Sequence, residues 1–261
     1  MRTAARLIRF LLTAANRYQI HSPFLFSFVC DVIKPRKPVP GELRIEAIRQ
    51  ECLRSREIIF KTDFGTGSGK QVPGTYAIST GRIARTSLAS GREARRLYRL
   101  VRFMNAGRIL EIGTSLGITT AYLGIANPLA KIITLEGCPE LSQKARDHFE
   151  RLGLQNIELI EGRFEDTLIR ALEKLGSVDV VFIDGNHRGE ALLDYFGQCL
   201  PYCNNNTVMV IDDIHASGSM QAGWDRIKQN DKVRISLDLF FSGWIMFRKE
   251  SSKEHFRLRY V

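Results

Sequence analysis

From Arg108 onward, short apolar runs alternate with helix-compatible stretches, and this alternation constrains the fold more than any other feature of the chain. The runs are Arg108–Ile112, Lys131–Glu136, Ile157–Ile160, Val178–Asp184 and Thr207–Asp212. Helical patterning fills segments between them, as in Pro139–Leu152 and Gly189–Leu200. Runs this short, separated by crossover-length helices, predict right-handed βαβ units and a doubly wound parallel sheet. Near the end, Lys232–Leu239 and Trp244–Lys249 enclose Phe240–Gly243 with no helix between them, which predicts an antiparallel hairpin. The expected fold is α/β: a Rossmann-like, seven-stranded, mostly parallel sheet closed by that hairpin. A plain dinucleotide-binding fold lacks the hairpin.

The N-terminal part has a different texture. Residues 1–105 carry 20 basic against 7 acidic residues, a balance of +13, whereas residues 106–261 carry 18 against 21. The net charge of +10 is therefore concentrated in one module, which suggests an anionic ligand, a nucleic acid or an acidic membrane surface as its partner. Helices are expected over residues 1–33, Glu42–Ile58 and Gly91–Met104, with Arg92, Arg95, Arg96, Arg99 and Arg102 forming a solvated face. The expected division is a basic, mainly helical cap at 1–105, a cofactor-binding domain at 106–250 and a tail at 251–261.

Compartment and processing follow from the same pass. The five cysteines are scattered without a Cys-x-x-Cys pair, which reads as reduced thiols in a cytoplasmic protein. Arg6 and Arg9 interrupt the N-terminal apolar run, so it reads as a packed amphipathic helix rather than a signal peptide. No segment approaches the roughly 18 apolar residues of a membrane span.

Two glycine loops compete for a cofactor: Gly65-Thr-Gly67-Ser-Gly69 and Glu111-Ile-Gly113-Thr114-Ser115-Leu-Gly117. The second lies between an expected strand and an apolar helix, where backbone N–H groups face the carboxyl end of a sheet. The first is followed by Pro73 and Gly74 rather than a helix. A dinucleotide fingerprint would need glycines where Ser115 and Ile118 stand. Glu136 ends the next strand, 23 positions after Gly113, and suits a ribose diol. The ligand therefore carries a ribose but need not carry a pyrophosphate.

On these residues, together with Ile160-Glu-Gly-Arg163-Phe164-Glu165 and the final hairpin, residues 105–250 resemble class I S-adenosylmethionine-dependent methyltransferases. Within them the chain looks most similar to metal-dependent small-molecule O-methyltransferases of the catechol, caffeoyl-CoA and macrolide-sugar types. The resemblance implies that Glu111, Gly113 and Ser115 hold the methionine end of the cofactor and Glu136 its ribose, with Thr114 and Gly117 also in the cofactor site. Arg163 and Phe164 would lie beside the adenine. A homodimer is compatible with the same picture.

The chemistry is expected at the next strand tips, Asp184-Gly-Asn-His187 and Asp212-Asp213. Carboxylates are hard ligands suited to Mg²⁺ or another divalent metal, and an imidazole titrates near neutrality. The resemblance assigns Asp184, Asp212 and Asp213 to the metal and His187, with Asp184, to catalysis, with Asp184 also near the cofactor. Other readings stay open: Asp184 as a helix cap, Asp212 as a strand-end acid, His187 as a turn residue and His215 as a surface residue. The N-terminal cap would recognise the acceptor, with Gly65–Gly69, Ser79, Thr80, Arg82 and Arg85 as a candidate anion site and His21–Phe24 as pocket lining. The expected function is methylation of a hydroxyl on a small, anionic molecule. A nucleic-acid acceptor is the rival, although the Asn/Asp-Pro-Pro-aromatic motif of base-amino methylation is absent after the fourth strand; ribose methylation of RNA and an idle cofactor-binding protein also stay open.

Overall fold

The strand Arg108–Ile112 shows why the chain folds as it does: Ile109, Leu110 and Ile112 are all buried, as in a strand covered on both faces. The computed structural model describes residues 7, 10–12, 14, 20–63 and 74–259. In chain order the described elements are α1 (Pro23–Phe28), a π-turn (Val29–Ile33), α2 (Glu42–Arg54), β1 (Ile58–Asp63), β2 (Gly74–Ser79), α3 (Thr80–Ser87) and α4 (Gly91–Met104). The sheet domain follows with β3 (Arg108–Ile112), α5 (Ile118–Ala126), β4 (Lys131–Glu136), α6 (Pro139–Leu152), β5 (Ile157–Glu161), α7 (Phe164–Leu175) and β6 (Val178–Ile183). It ends with α8 (Gly189–Cys199), β7 (Cys203–Asp212), α9 (Gly218–Gln229), β8 (Ile235–Asp238), β9 (Ser242–Met246) and β10 (Glu254–Arg257).

The large sheet runs β10-β8-β9-β7-β6-β3-β4-β5. The chain winds outward from β3 through β4 to β5, then returns to the other side of β3 with β6 and β7, so strand order reverses between β3 and β6. These pairings are parallel, whereas β9 is antiparallel to both β7 and β8. The seven expected strands are present, with the hairpin shifted to Ile235–Asp238 and Ser242–Met246. An eighth strand is added: β10, within the expected tail, pairs parallel with β8. Its residues alternate in burial, as at a sheet edge, and give no apolar run.

Register fixes the site. Ile112 pairs with Leu135 and with Ile183, and Ile183 pairs with Ile211. One residue further along each strand, Gly113, Glu136, Asp184 and Asp212 therefore come out on one row, across the reversal point. Ligands in open α/β sheets bind at that place.

The N-terminal module departs from the helical expectation. Its second helix stops at Arg54, and β1 and β2 form an antiparallel hairpin, Ile58↔Ser79 to Asp63↔Gly74. Gly65–Gly69 lies outside the described residues. Nor is the arginine helix a free charged face. Arg95 grips Glu42 with both nitrogens at 2.7 and 3.0 Å, Arg96 donates to the Ile33 carbonyl at 3.0 Å, and Arg99 donates to that of Lys37. Arg102 reaches the Ala126 carbonyl, while Arg85 donates to Leu53 and Arg44 to Arg151. Several of these acceptors lie in the last turn of another element, where carbonyls lack intrahelical partners. Main-chain acceptors leave no trace in a sequence, which is why the face reads as solvated.

Candidate active site

The loop between β3 and α5 is shaped by two glycines and one strained serine. Gly113 has φ of 102°, and a Cβ there would stand 2.2 Å from the Asp184 carbonyl oxygen, so only glycine lets β3 and β6 approach this closely. Gly117, at φ of 72°, opens α5 against the Phe149 ring, 2.7 Å from where its Cβ would be. Between them Ser115 adopts φ of 50° and donates its backbone N–H to Glu136 Oε2 at 2.7 Å. Glu136 Oε1 accepts from the Cys138 N–H at 2.9 Å, so both oxygens are held while the carboxylate edges the cleft. Burial raises the Glu136 pKa against these two hydrogen bonds. Thr114 faces inward, with its hydroxyl on the Leu135 carbonyl.

Glu111 is fully buried behind this loop. Its Oε2 accepts from Thr120 and Thr134, and its Oε1 has no partner among the described residues. Burial pushes its pKa up to about 7. The Ser115 hydroxyl is also buried and unpartnered. Unsatisfied buried polar atoms beside a glycine-lined cradle suit a polar ligand, since each carries a desolvation cost when left unmet. The cradle thus fits the methionine end and ribose of S-adenosylmethionine.

A cleft of about 1020 Å³ opens over this row of strand ends. Of the residues expected at the site, it brings Gly113, Ser115, Glu136, Arg163, Phe164, Asp184, His187, Asp212 and Asp213 to its walls. Phe164 lies against Gly185, where an added Cβ would stand 2.5 Å from the ring, and meets Tyr195 edge-on at 6.0 Å. Arg163 sits just before α7, with its guanidinium 3.9 Å from Glu165. Asn186, at φ of 50°, shapes the turn to His187: its Oδ1 accepts from Arg188 Nε at 3.0 Å and its Nδ2 donates to the Tyr195 hydroxyl.

Asp184 and Asp212 each follow a paired residue, Ile183 and Ile211, at the ends of β6 and β7, so their carboxyl groups are neighbours that act on one another. Burial first, and then the neighbouring carboxylates, holds the Asp184 carboxyl well above the ordinary range and raises Asp212 with it. Asp213, at φ of 54°, adds its charge to both. Among the described residues no group of three or more His, Cys, Asp or Glu side chains stands in a metal-holding arrangement. What is present is a close carboxylate pair with open cleft beside it. That suits an ion which keeps several waters and takes one or two carboxylates. His187 Nε2 stands 3.9 Å from Asp184 Oδ1. Its pKa is lowered by burial, with Asp213 opposing the shift and Lys61 adding to it. A neutral imidazole at the edge of a carboxylate pair can accept a proton.

Other expectations need correction. His215 is not a surface residue: its Nε2 lies 3.0 Å from Asp238 Oδ2, and its ring packs on Phe240. Ser79 caps α3, Thr80 bonds the Glu57 carbonyl and Arg85 that of Leu53, so these three serve local structure. His21 lies in an exposed stretch and Ser22 caps α1. Sequence reasoning missed Lys61 and Tyr76 from the β1–β2 hairpin, and Glu93 from α4, all of which line the cleft. Glu93 follows Ser90 at the spacing of a helix cap, which hid its other contacts.

Comparison with known proteins bears on the fold that carries this cleft. Residues 110–214 match the methyltransferase-domain family. The chain is 30% identical over 138 residues to a catechol O-methyltransferase of Mycobacterium tuberculosis, covering 52% of this chain and 61% of that protein. It is 29% identical over 127 residues to the catechol O-methyltransferase of Niastella koreensis, covering 48% of this chain and 57% of the relative. The chain thus spans about three-fifths of the length of these curated relatives. An O-methyltransferase from Bacillus cereus solved with S-adenosylhomocysteine superposes with a TM-score of 0.58 at 19% identity, over 84% of this chain and 96% of that one. A Streptomyces achromogenes O-methyltransferase involved in tomaymycin synthesis, solved with S-adenosylmethionine, gives 0.53 at 22% identity over 61% and 82%. Residues 110–214 are thus similar to a methyltransferase domain, and the solved neighbours share the fold around it. The relatives named above are described as O-methyltransferases.

Proposed function

We propose that the protein transfers a methyl group from S-adenosylmethionine to a hydroxyl of a small, anionic molecule, with a divalent cation assisting. The observation that carries this reading is the single row of Gly113, Glu136, Asp184 and Asp212 at the strand-order reversal, with His187 3.9 Å from Asp184. The relatives described as catechol O-methyltransferases support oxygen as the acceptor atom. Lys61 and Arg92 on the N-terminal side of the cleft support an anionic acceptor.

Glu111, Gly113, Ser115 and Gly117 would hold the methionine end of the cofactor, and Glu136 its ribose. When bound, the cofactor supplies an electrophilic methyl group on a sulfonium. Asp184 and Asp212 would hold the cation, with Asp213 reinforcing their negative field. The cation, when bound, lowers the pKa of the acceptor hydroxyl and fixes its position. His187, neutral near pH 7, takes the hydroxyl proton on its imidazole. Phe164 and Tyr195 exclude water from the adenine side. The hairpin residues Lys61 and Tyr76 also line the cleft.

Incubation with methyl-labelled cofactor and a metabolite pool, with and without chelator, tests the proposal. Label should enter a small molecule, and chelation should suppress it. Label confined to RNA would overturn the acceptor class, and labelling indifferent to chelator would overturn the role of the cation.

A further inference from the structure

The N-terminal module touches the cofactor loop at a place that the proposed chemistry does not use. Cys52, in the last turns of α2, and His148, on α6, are both buried. His148 Nδ1 lies 2.9 Å from the Leu116 carbonyl, and its Nε2 lies 3.8 Å from Cys52 Sγ. Leu116 stands between Ser115 and Gly117, two of the three positive-φ residues that set the shape of the loop.

The chemistry of these three groups admits one arrangement. A carbonyl oxygen can only accept, so the hydrogen lies on Nδ1. In the neutral ring Nε2 then carries a lone pair, and the Cys52 thiol, a weak donor, points its hydrogen there. Burial favours the neutral form of both partners, raising the thiol pKa and lowering that of the imidazole. The charged groups around the ring leave that balance intact: Arg151 and Lys144 oppose protonation of His148, and Asp147 favours it. This is a neutral donor chain from thiol to imidazole to carbonyl, unlike the thiolate–imidazolium pair of a nucleophile.

The surrounding packing makes the chain consequential. The α6 face that carries His148 presses on the loop, because a Cβ at Gly117 would stand 2.7 Å from Phe149 and 3.1 Å from Ala145. On the other side, α2 ends three residues before Glu57 and leads into β1, which carries Lys61 into the cleft. The end of α2 is itself fastened, with Arg85 on the Leu53 carbonyl and the Gly81 N–H on that of Ser55.

We propose that Cys52 and His148 form a latch through which the N-terminal module sets the shape of the cofactor loop. His148, held in its Nδ1–H tautomer by Cys52, is a positioning residue for Leu116, and through it for Ser115 and Gly117. The latch rests on the reading that this loop binds S-adenosylmethionine. The module therefore governs cofactor affinity as well as walling the acceptor side.

Calorimetric titration of the full chain with S-adenosylhomocysteine tests both levels. If the unaltered protein gives no binding, the cofactor reading fails, and the latch with it. If it binds, His148→Leu should weaken affinity about threefold to tenfold, as expected for the net value of one hydrogen bond. His148→Asn, which keeps an N–H donor near the Nδ1 position, should recover most of that loss. Cys52→Ser should stay near the unaltered value, and Cys52→Ala should fall by about twofold to threefold. In each variant the loss should appear in the KM for the cofactor, with kcat and the acceptor KM unchanged. Long-range ¹H–¹⁵N spectra of the histidine rings, assigned with His148→Asn, should show His148 in the Nδ1–H form. Equal affinity in all variants, or the Nε2–H form in the folded protein, would overturn the latch.

Discussion

Ser242 donates from its hydroxyl to Glu93 Oε1 at 2.8 Å while accepting from Trp244 Nε1 at 3.0 Å, and this joins the arginine helix α4 to the C-terminal hairpin. All three side chains are buried, and Glu93 Oε2 is taken by Arg96 at 2.7 Å. Ser242 also pairs with Asp212 in the sheet, so this contact adjoins the carboxylate pair. Replacing Ser242 with Ala strands a buried donor and a buried acceptor at once. A loss of about 1–3 kcal/mol of stability is expected in urea unfolding. An unchanged midpoint would mean that water or a shifted side chain replaces the hydroxyl.

Gly113→Ala tests the row of strand ends. The new Cβ would meet the Asp184 carbonyl at 2.2 Å, and neither backbone can yield without opening the β3–β6 pair. Homocysteine-cofactor binding should disappear in calorimetry, and the thermal midpoint should fall. Retained binding would show that the two strands separate more easily than their packing implies.

Glu111 makes a pH prediction. Its pKa is pushed up to about 7 by burial, so it is partly protonated at neutrality. A ligand bearing an ammonium favours the ionised form, which means that binding releases a proton. Cofactor affinity should therefore rise with pH through about 7 and then level off, and Glu111→Gln should flatten the dependence. Calorimetry in buffers of different ionisation enthalpy measures the released proton directly.

The Glu42–Arg95 pair predicts acid sensitivity. Burial alone would raise the Glu42 pKa, but the Arg95 hydrogen bonds and the Val39 N–H outweigh it and lower the value below 4.5. A carboxyl with a depressed folded pKa contributes stability above its unfolded value and loses it as pH falls through the folded one. Glu42→Gln should cost about 1–3 kcal/mol near pH 7 and less as the solution is acidified. Urea midpoints measured across the acidic range would show the two curves converging.

His187→Ala separates chemistry from binding. If the imidazole takes the hydroxyl proton, kcat should fall by about a hundredfold or more, with homocysteine-cofactor affinity unchanged. A parallel loss of affinity would place His187 in the cofactor site instead.

The strands of the sheet were legible because β3, β4 and β6 are covered on both faces and read as mostly apolar runs. The acids at the site were legible for a related reason, since each is the first polar residue after such a run. What escaped notice was whatever depends on distant partners. His215 finds Asp238 across 23 residues, and Glu93 finds Ser242 across 149. β10 escaped because an edge strand half-open to solvent needs no apolar pattern. The β1–β2 hairpin escaped because its connection looked like a ligand loop.

The arginines of the N-terminal module also change what its isoelectric character means. Arg44, Arg85, Arg96 and Arg102 each donate to a carbonyl at or near the end of another element. A carbonyl is neutral, so each guanidinium keeps its charge while its N–H groups help join the module. An engineer who lowered the basicity of this region by Arg→Gln exchange, to curb nonspecific adsorption, would loosen joints along with the outer surface. Solubility redesign should begin with the lysines and leave these guanidinium groups in place.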